Sequence, residues 1–316
     1  MHQFSHPLSE QTMQWLSNVI EPTARIQTIH RLKGGISSIV LHIHVTTDNK
    51  PISYVLRQFD NQDWLGQEPD LALHEAECLK WAARVQVPTP ELVAFDESGS
   101  LSGHPSVMMS KLNGSVILEP DDLHAWLDRM AAALAEIHKV ESDNFPWSYF
   151  TYSDIQALRP PSWSAHSGLW AELIALAQCS QPSFKPTFIH RDYHPTNILW
   201  QDNNVSGIVD WVNACQGPAG VDIGHCRLNL ALLYGVSAAD RFLDAYTIHG
   251  DSSFTYDPYW DAVSLCDAFF DSPAVYPGWT DLGFQGLTDD LIAERIDLYM
   301  ISLVNRMNGK KPAGHE

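Results

Sequence analysis

Phe188-Ile189-His190-Arg191-Asp192-Tyr193-His194-Pro195-Thr196-Asn197-Ile198-Leu199-Trp200 is the densest run of chemically capable side chains in the sequence. A turn at Asp202-Asn203-Asn204 follows it, then Val205-Ser206-Gly207-Ile208-Val209-Asp210-Trp211. Apolar residues at the two ends read as short strands around a polar loop, with Asp192 and Asn197 on the loop and Asp210 at the end of the second strand. These three side chains suit phosphoryl transfer, where positioning and charge neutralisation outweigh covalent work by the protein. A carboxylate such as Asp192 orients an attacking hydroxyl by accepting its hydrogen bond. The amide oxygen of Asn197 and the carboxylate of Asp210 are hard donors of the kind Mg²⁺ takes. Any one of them alone would read as a loop or capping residue; their clustering reads as a site.

Upstream, the first hundred residues or so carry most of the strand signal. Residues 24–32 form a weak candidate, and Lys33-Gly34-Gly35 reads as a turn. Ile39, Leu41, Ile43 and Val45 alternate with Val40, His42, His44 and Thr46, the period of a half-buried strand. Asp48-Asn49-Lys50-Pro51 punctuates a turn, and Ile52 to Phe59 returns antiparallel. Residues 70–84 read as a helix whose apolar face holds Leu71, Ala72, Ala76, Cys78, Leu79, Ala82 and Ala83. Glu75 falls inside that stripe, and a carboxylate on a buried face needs a partner. Short strands follow near 91–96 and 105–110.

From about residue 120 the pattern becomes helical. Leu123, Leu127, Met130, Leu134 and Ile137 mark one helix. Others are predicted at 167–179, 221–234, 237–249, 257–270 and 288–306, with Ser237 and Asp240 as a start signature for the helix at 237. The class expected is therefore α+β in two lobes, residues 1–107 rich in antiparallel strands and 108–316 mainly helical.

Composition narrows the partners. The 316 residues include 33 Trp, Tyr and Phe, which excludes disorder for the bulk of the chain. Nineteen Lys and Arg against 38 Asp and Glu leave a net charge of −19. Such a chain lacks the broad basic face that nucleic acid requires; its acidity either favours cationic small molecules or simply keeps the chain soluble. No apolar run is long enough for a bilayer, so no membrane partner is expected. Met1 to His6 has neither the basic start nor the apolar core of a signal peptide, which predicts the cytoplasm. Cysteines at 78, 179, 215, 226 and 266 contain no C-x-x-C pair, against a zinc ribbon or redox dithiol.

His190-Arg191-Asp192 with Asn197 five residues on resembles the catalytic loop of the protein-kinase superfamily. His194 and the pair Asp210-Trp211 match its small-molecule branch better. The sequence is similar to the aminoglycoside phosphotransferase family, which itself resembles choline and homoserine kinases. Gly217-Pro218 and Asp222 look like the segment that closes the same family's site. The resemblance implies a bilobal kinase-like fold, ATP and Mg²⁺ as cofactors, Asp192 as catalytic base, and Asn197 and Asp210 as metal ligands. Gly34, Gly35 and Ser37 are similar to the family's phosphate-covering loop. Arg57 stands where the superfamily usually places a phosphate-binding Lys, with Glu75 as its partner. Pro105 to Leu112 resembles the interlobe hinge, with backbone groups from Met109 to Lys111 on adenine. Arg is a departure: its fork grips phosphate in a bidentate manner but is not equivalent to an ammonium.

The reaction implied is phosphorylation of a hydroxyl on a small molecule, which fits a cationic acceptor such as an aminoglycoside or amino alcohol. Two rivals remain at this stage. One is a non-catalytic nucleotide-binding or scaffold protein of the same fold. The other is a metallohydrolase holding a transition metal through His190, Asp192 and His194. His42 and His44 are expected to face solvent, and acidic–aromatic runs at 257–261 and 267–271 read as outward helix positions or an ammonium-binding surface.

Overall fold

The computed structural model describes residues 8–32, 37–48, 50–268 and 272–309. Gly34 and Gly35 lie outside the described residues, as do Phe269, Phe270 and Asp271. The chain divides into two compact units: residues 1–115 with 199–201 and 206–213, and residues 116–198 with 202–205 and 214–316.

The first unit begins with helix α1 (Glu10–Val19), which the sequence reading did not assign. Ser9 caps it, its hydroxyl accepting from the Thr12 N–H at 3.0 Å. Strands β1 (Arg25–Arg31), β2 (Ile39–Thr47) and β3 (Lys50–Gln58) follow, then helices α2 (Gln62–Gln67) and α3 (Leu71–Ala82). Strands β4 (Leu92–Asp96) and β5 (Ser106–Ser110) complete one antiparallel sheet in the order β1-β2-β3-β5-β4. The β2–β3 hairpin forms as its alternation predicts, although β3 starts at Lys50. Pro51 therefore lies within the strand opposite Thr46. Leu41, Ile43 and Val45 point to one face, where Trp15, Leu16 and Ile20 cover them together with Leu56 and Met108. Each such side chain removed from water contributes roughly 1.5–3 kcal/mol. On α3, Glu75 is buried as the helix projection requires; His74 joins the buried set and Ala83 is exposed.

In the second unit, α4 (Leu123–His138) and α5 (Ser167–Ala177) precede strand β6 (Pro186–Ile189). Strands β7 (Ile198–Gln201) and β8 (Asn204–Ile208) form a hairpin, and β9 (Cys215–Pro218) pairs antiparallel with β6. The strand flanking the polar loop thus pairs with β9, and not with the segment ending at Asp210. Tertiary partnering decides this, because both candidate strands have similar apolar content. Helices α6 (Ala219–Tyr234), α7 (Val236–His249), α8 (Pro258–Asp267), α9 (Pro277–Asp281) and α10 (Asp289–Met307) complete the chain. Ser237 does not start α7: Gly235 is its N-cap, and Asp240 instead pairs with Arg227 at 2.9 Å and Arg306 at 2.6 Å. With Gly235 as N-cap, Asp240 is five positions along and outside the first turn.

Part of the β7–β8 hairpin belongs with the first unit. Trp200 and Ser115 exchange backbone hydrogen bonds of 2.8 and 3.1 Å, and the Ile208 N–H donates to the Pro88 carbonyl at 3.0 Å. Gly114, at φ 115°, lies so close that a Cβ would sit 2.9 Å from the Trp200 carbonyl oxygen. Asp210 is thereby carried into the unit that holds Arg57.

Candidate active site

Sheet register builds the first cluster. Arg57 on β3 stands opposite Val40 and Val107, and Met109 stands opposite Val55. These side chains share the face turned away from the Leu56 core, because alternate residues of a strand share a face. Arg57 Nη1 lies 3.2 Å from Glu75 Oε1 on α3 and 2.8 Å from Asp210 Oδ1. The Glu75 side chain is 1% exposed and that of Asp210 34%. Burial pushes the Glu75 carboxyl up to about 7, with Arg57 opposing the shift and Asp210 reinforcing it. Asp210 adopts φ 69°, a left-handed conformation uncommon outside glycine.

Met109 is buried, and Lys111 is half-buried with its Nζ donating to the Leu112 carbonyl at 3.2 Å. Ser37 is exposed just before β2. His42 and His44 do not face solvent freely. Both are half-buried on the Arg57 face and share the Ser53 hydroxyl, at 3.0 and 3.3 Å. Burial lowers the pKa of His42, with Lys111, His44 and His30 adding to the shift.

The second cluster is the loop after β6. Asp222 on α6, fully buried, accepts the backbone N–H of His190 at 2.8 Å and that of Arg191 at 2.5 Å. Arg191 takes φ 66°, and its guanidinium donates to the Phe150 carbonyl at 2.7 Å while covering the rings of Phe150 and Tyr152. The buried Tyr193 hydroxyl donates to the Met130 carbonyl at 2.8 Å. The loop is thus held at His190, Arg191 and Tyr193, and Asp192 among them presents a side chain 30% exposed.

Both carboxylate oxygens of Asp192 are engaged. Asn197 Nδ2 donates to Oδ2 at 3.0 Å and to the Asp192 carbonyl at 2.9 Å. On the other side, His225 Nε2 of α6 lies 3.1 Å from Oδ1 and His194 Nε2 lies 3.6 Å from it. Burial resists ionisation of Asp192, but His194 and the hydrogen bond from His225 outweigh it and hold the carboxyl well below the usual carboxylate range. With its nitrogen committed to Asp192, Asn197 has its amide oxygen left as a hard donor, so its chemistry and that of Asp210 fit Mg²⁺.

Sequence reasoning missed His225. A signal existed: it lies three residues after Asp222 on one helix, so the residue that grips the loop and the one that touches Asp192 share a face. His190, by contrast, is fully buried against Tyr193; it helps lower the Asp192 pKa but is not one of the three side chains, Asp192, His194 and His225, whose ligand atoms converge.

A model of the phosphotransferase enzyme family matches residues 28–266, a span that holds both clusters. The chain belongs to that family. Among curated proteins, this family member is similar to homoserine kinase of Chelativorans sp., 26% identical over 144 residues that cover 40% of this chain and 42% of the relative. Homoserine kinase of Methylocella silvestris is 28% identical over 163 residues, covering 46% and 48%. The matches thus span less than half the length of these curated relatives.

Among solved structures, macrolide 2'-phosphotransferase from Brachybacterium faecium superposes with a TM-score of 0.57 at 15% identity, covering 95% of this chain and 99% of that one. A thermostable mutant aminoglycoside phosphotransferase in ternary complex with AMP-PNP and hygromycin B gives 0.60 at 14% identity, covering 93% and 99%. The likeness establishes the kinase-like fold that the motif implied.

Proposed function

We propose that the protein is an ATP- and Mg²⁺-dependent kinase that phosphorylates a hydroxyl group of a small molecule. The observation that carries this reading is the setting of Asp192. Its carboxylate is kept ionised and is oriented by Asn197 on one oxygen and by His225 on the other. Such a group accepts a hydrogen bond from an incoming alcohol and takes its proton as the oxygen–phosphorus bond forms. Arg57 supplies a cation for phosphate oxygens, positioned by Glu75. The assignment of Asn197 and Asp210 as Mg²⁺ ligands rests on the sequence motif and on their donor chemistry; the bound ion supplies charge neutralisation on the phosphates. Backbone groups near Met109 and Lys111 are assigned to adenine, and Gly34, Gly35 and Ser37 to the phosphate-covering loop, on the resemblance alone.

Charge bears on the acceptor class. A net charge of −19 favours a cationic alcohol, such as an aminoglycoside or an amino alcohol, over an anionic one. No helix among the described residues is long and apolar enough to cross a membrane.

The test is a Mg·ATP-dependent screen of aminoglycosides, macrolides, amino alcohols and sugars for a mass gain of one phosphoryl group. Asp192→Ala should lower turnover at least ~10²-fold while Mg·ATP still raises the melting temperature. Unchanged turnover would remove Asp192 from the mechanism. Stabilisation by Mg·ATP without transfer to any acceptor would favour a nucleotide-binding scaffold.

A further inference from the structure

We propose that Asp192, His194 and His225 form a binding site for a borderline-soft divalent cation of the zinc type, distinct in its donors from any Mg²⁺ site. One carboxylate oxygen and two imidazole nitrogens lie within 4.8 Å of one another. Asp192 Oδ1 is 3.1 Å from His225 Nε2 and 3.6 Å from His194 Nε2. Two ligands on a tetrahedral ion with bonds of about 2.0–2.1 Å stand roughly 3.3 Å apart, so these spacings need little adjustment. The imidazole rings of His194 and His225 meet edge to face with centroids 5.6 Å apart, which lets two nitrogens converge without stacking.

The surrounding residues resemble the outer shell of a metal site. Asn197 Nδ2 holds the second Asp192 oxygen, and the Thr196 hydroxyl lies 3.3 Å from His194 Nδ1, the ring nitrogen that remains when Nε2 ligates. Asp222 ties the loop to α6 through two backbone N–H groups, so ligands from the two segments are preorganised. Two imidazoles and one carboxylate select zinc-like ions, whereas Mg²⁺ takes oxygen donors and keeps its waters. Fold assembly brings in His225, 33 positions along from Asp192, where the sequence motif alone suggested His190.

The site has a consequence that rests on the kinase reading. An ion on Asp192 Oδ1 occupies the carboxylate assigned to receive the alcohol proton, so occupancy should inhibit transfer. Zinc would then act as an off-switch at the reacting carboxylate.

The experiment titrates the full chain with Zn²⁺ in Mg²⁺-containing buffer against a competing chromophoric chelator, and separately records visible absorption with Co²⁺. One site per chain is expected. His225→Gln and His194→Gln should each weaken it ~10-fold or more and abolish the Co²⁺ bands. Gln keeps a hydrogen-bonding group beside Asp192, and thermal melting checks the fold of each variant. If a variant melts early, the Co²⁺ spectrum of the unmodified protein decides alone, and absence of bands overturns the proposal. Equal zinc affinity in the unmodified protein and a folded His225→Gln variant also overturns it, since the ion would then sit elsewhere. Where an acceptor is known, fractional inhibition by zinc is compared with each variant's own zinc-free rate. Zinc binding that leaves the unmodified enzyme uninhibited refutes the inhibitory consequence. A site that binds zinc in a protein that transfers no phosphate supports the site and counts against the kinase reading.

Discussion

Asp222 on α6 receives the backbone N–H of His190 at 2.8 Å, and with its other oxygen the next N–H at 2.5 Å, so one buried carboxylate sets the entry to the Asp192 loop. The same carboxylate meets His138 Nε2 at 3.0 Å, and His138 in turn meets the Tyr246 hydroxyl at 2.7 Å. This chain of contacts turns a flexible loop into a positioned one, at the price of a left-handed Arg191.

Asp222→Asn keeps the shape but offers one carbonyl oxygen to donors that now share two. Hydrogen bonds to a charged acceptor contribute about 1.5–3 kcal/mol, so the variant should lose about 2 kcal/mol in urea unfolding. Its kcat should fall more than its KM changes, because the loop loses definition while the rest of the chain does not. Wild-type stability together with wild-type kcat would show that Asp222 holds nothing of consequence.

Glu75 makes a pH prediction. Its carboxyl is raised from 4.5 to about 7 by burial, with Arg57 opposing and Asp210 reinforcing. Between those two values the folded state keeps a proton that the unfolded state has released, so stability contributed by the protonated form is lost as pH rises through that window. The full effect is on the order of 3 kcal/mol. Glu75→Gln should flatten this dependence: relative to wild type it should gain stability between pH 5 and pH 7.5. Parallel denaturation curves for the two proteins at both pH values would refute the shift.

Gly224 sets helix propensity against packing. Alanine in mid-helix is favoured over glycine by about 1 kcal/mol. Here a Cβ would stand 2.6 Å from Ser264 Oγ and 2.8 Å from the Trp260 carbonyl oxygen of α8, and backbone cannot yield cheaply. Overpacking costs about 1–3 kcal/mol, so Gly224→Ala should be destabilising overall, read as a lower urea midpoint. A raised midpoint would mean that α6 and α8 can separate freely.

Arg227 is fully buried and pairs with Asp261 at 2.6 Å, while the Tyr299 hydroxyl donates to that carboxylate at 2.6 Å. Arg227→Met strands a buried negative charge and should cost about 3–5 kcal/mol. Adding Asp261→Leu should recover most of that loss, because a well-packed apolar pair costs no desolvation. Chemical denaturation of the single and double variants measures both; no recovery in the double variant would show that packing around Arg227, and not charge, carries the effect.

Much of this molecule was legible from local pattern. Alternation at 39–46 marked β2, the stripe of α3 placed Glu75 inward, and the His190–Asn197 spacing identified the loop and its superfamily. Such features depend on a few neighbouring residues, whose periodicity and spacing a linear sequence displays directly. Tertiary packing decided the rest. It chose β9 as the partner of β6, drew Asp240 from a helix start to Arg227, and joined Arg57 to both Glu75 and Asp210. It also brought His225 to Asp192 across 33 residues, because α6 is anchored to the loop by Asp222. Those outcomes depend on which buried charges and faces meet, a competition among distant segments that only the folded chain resolves.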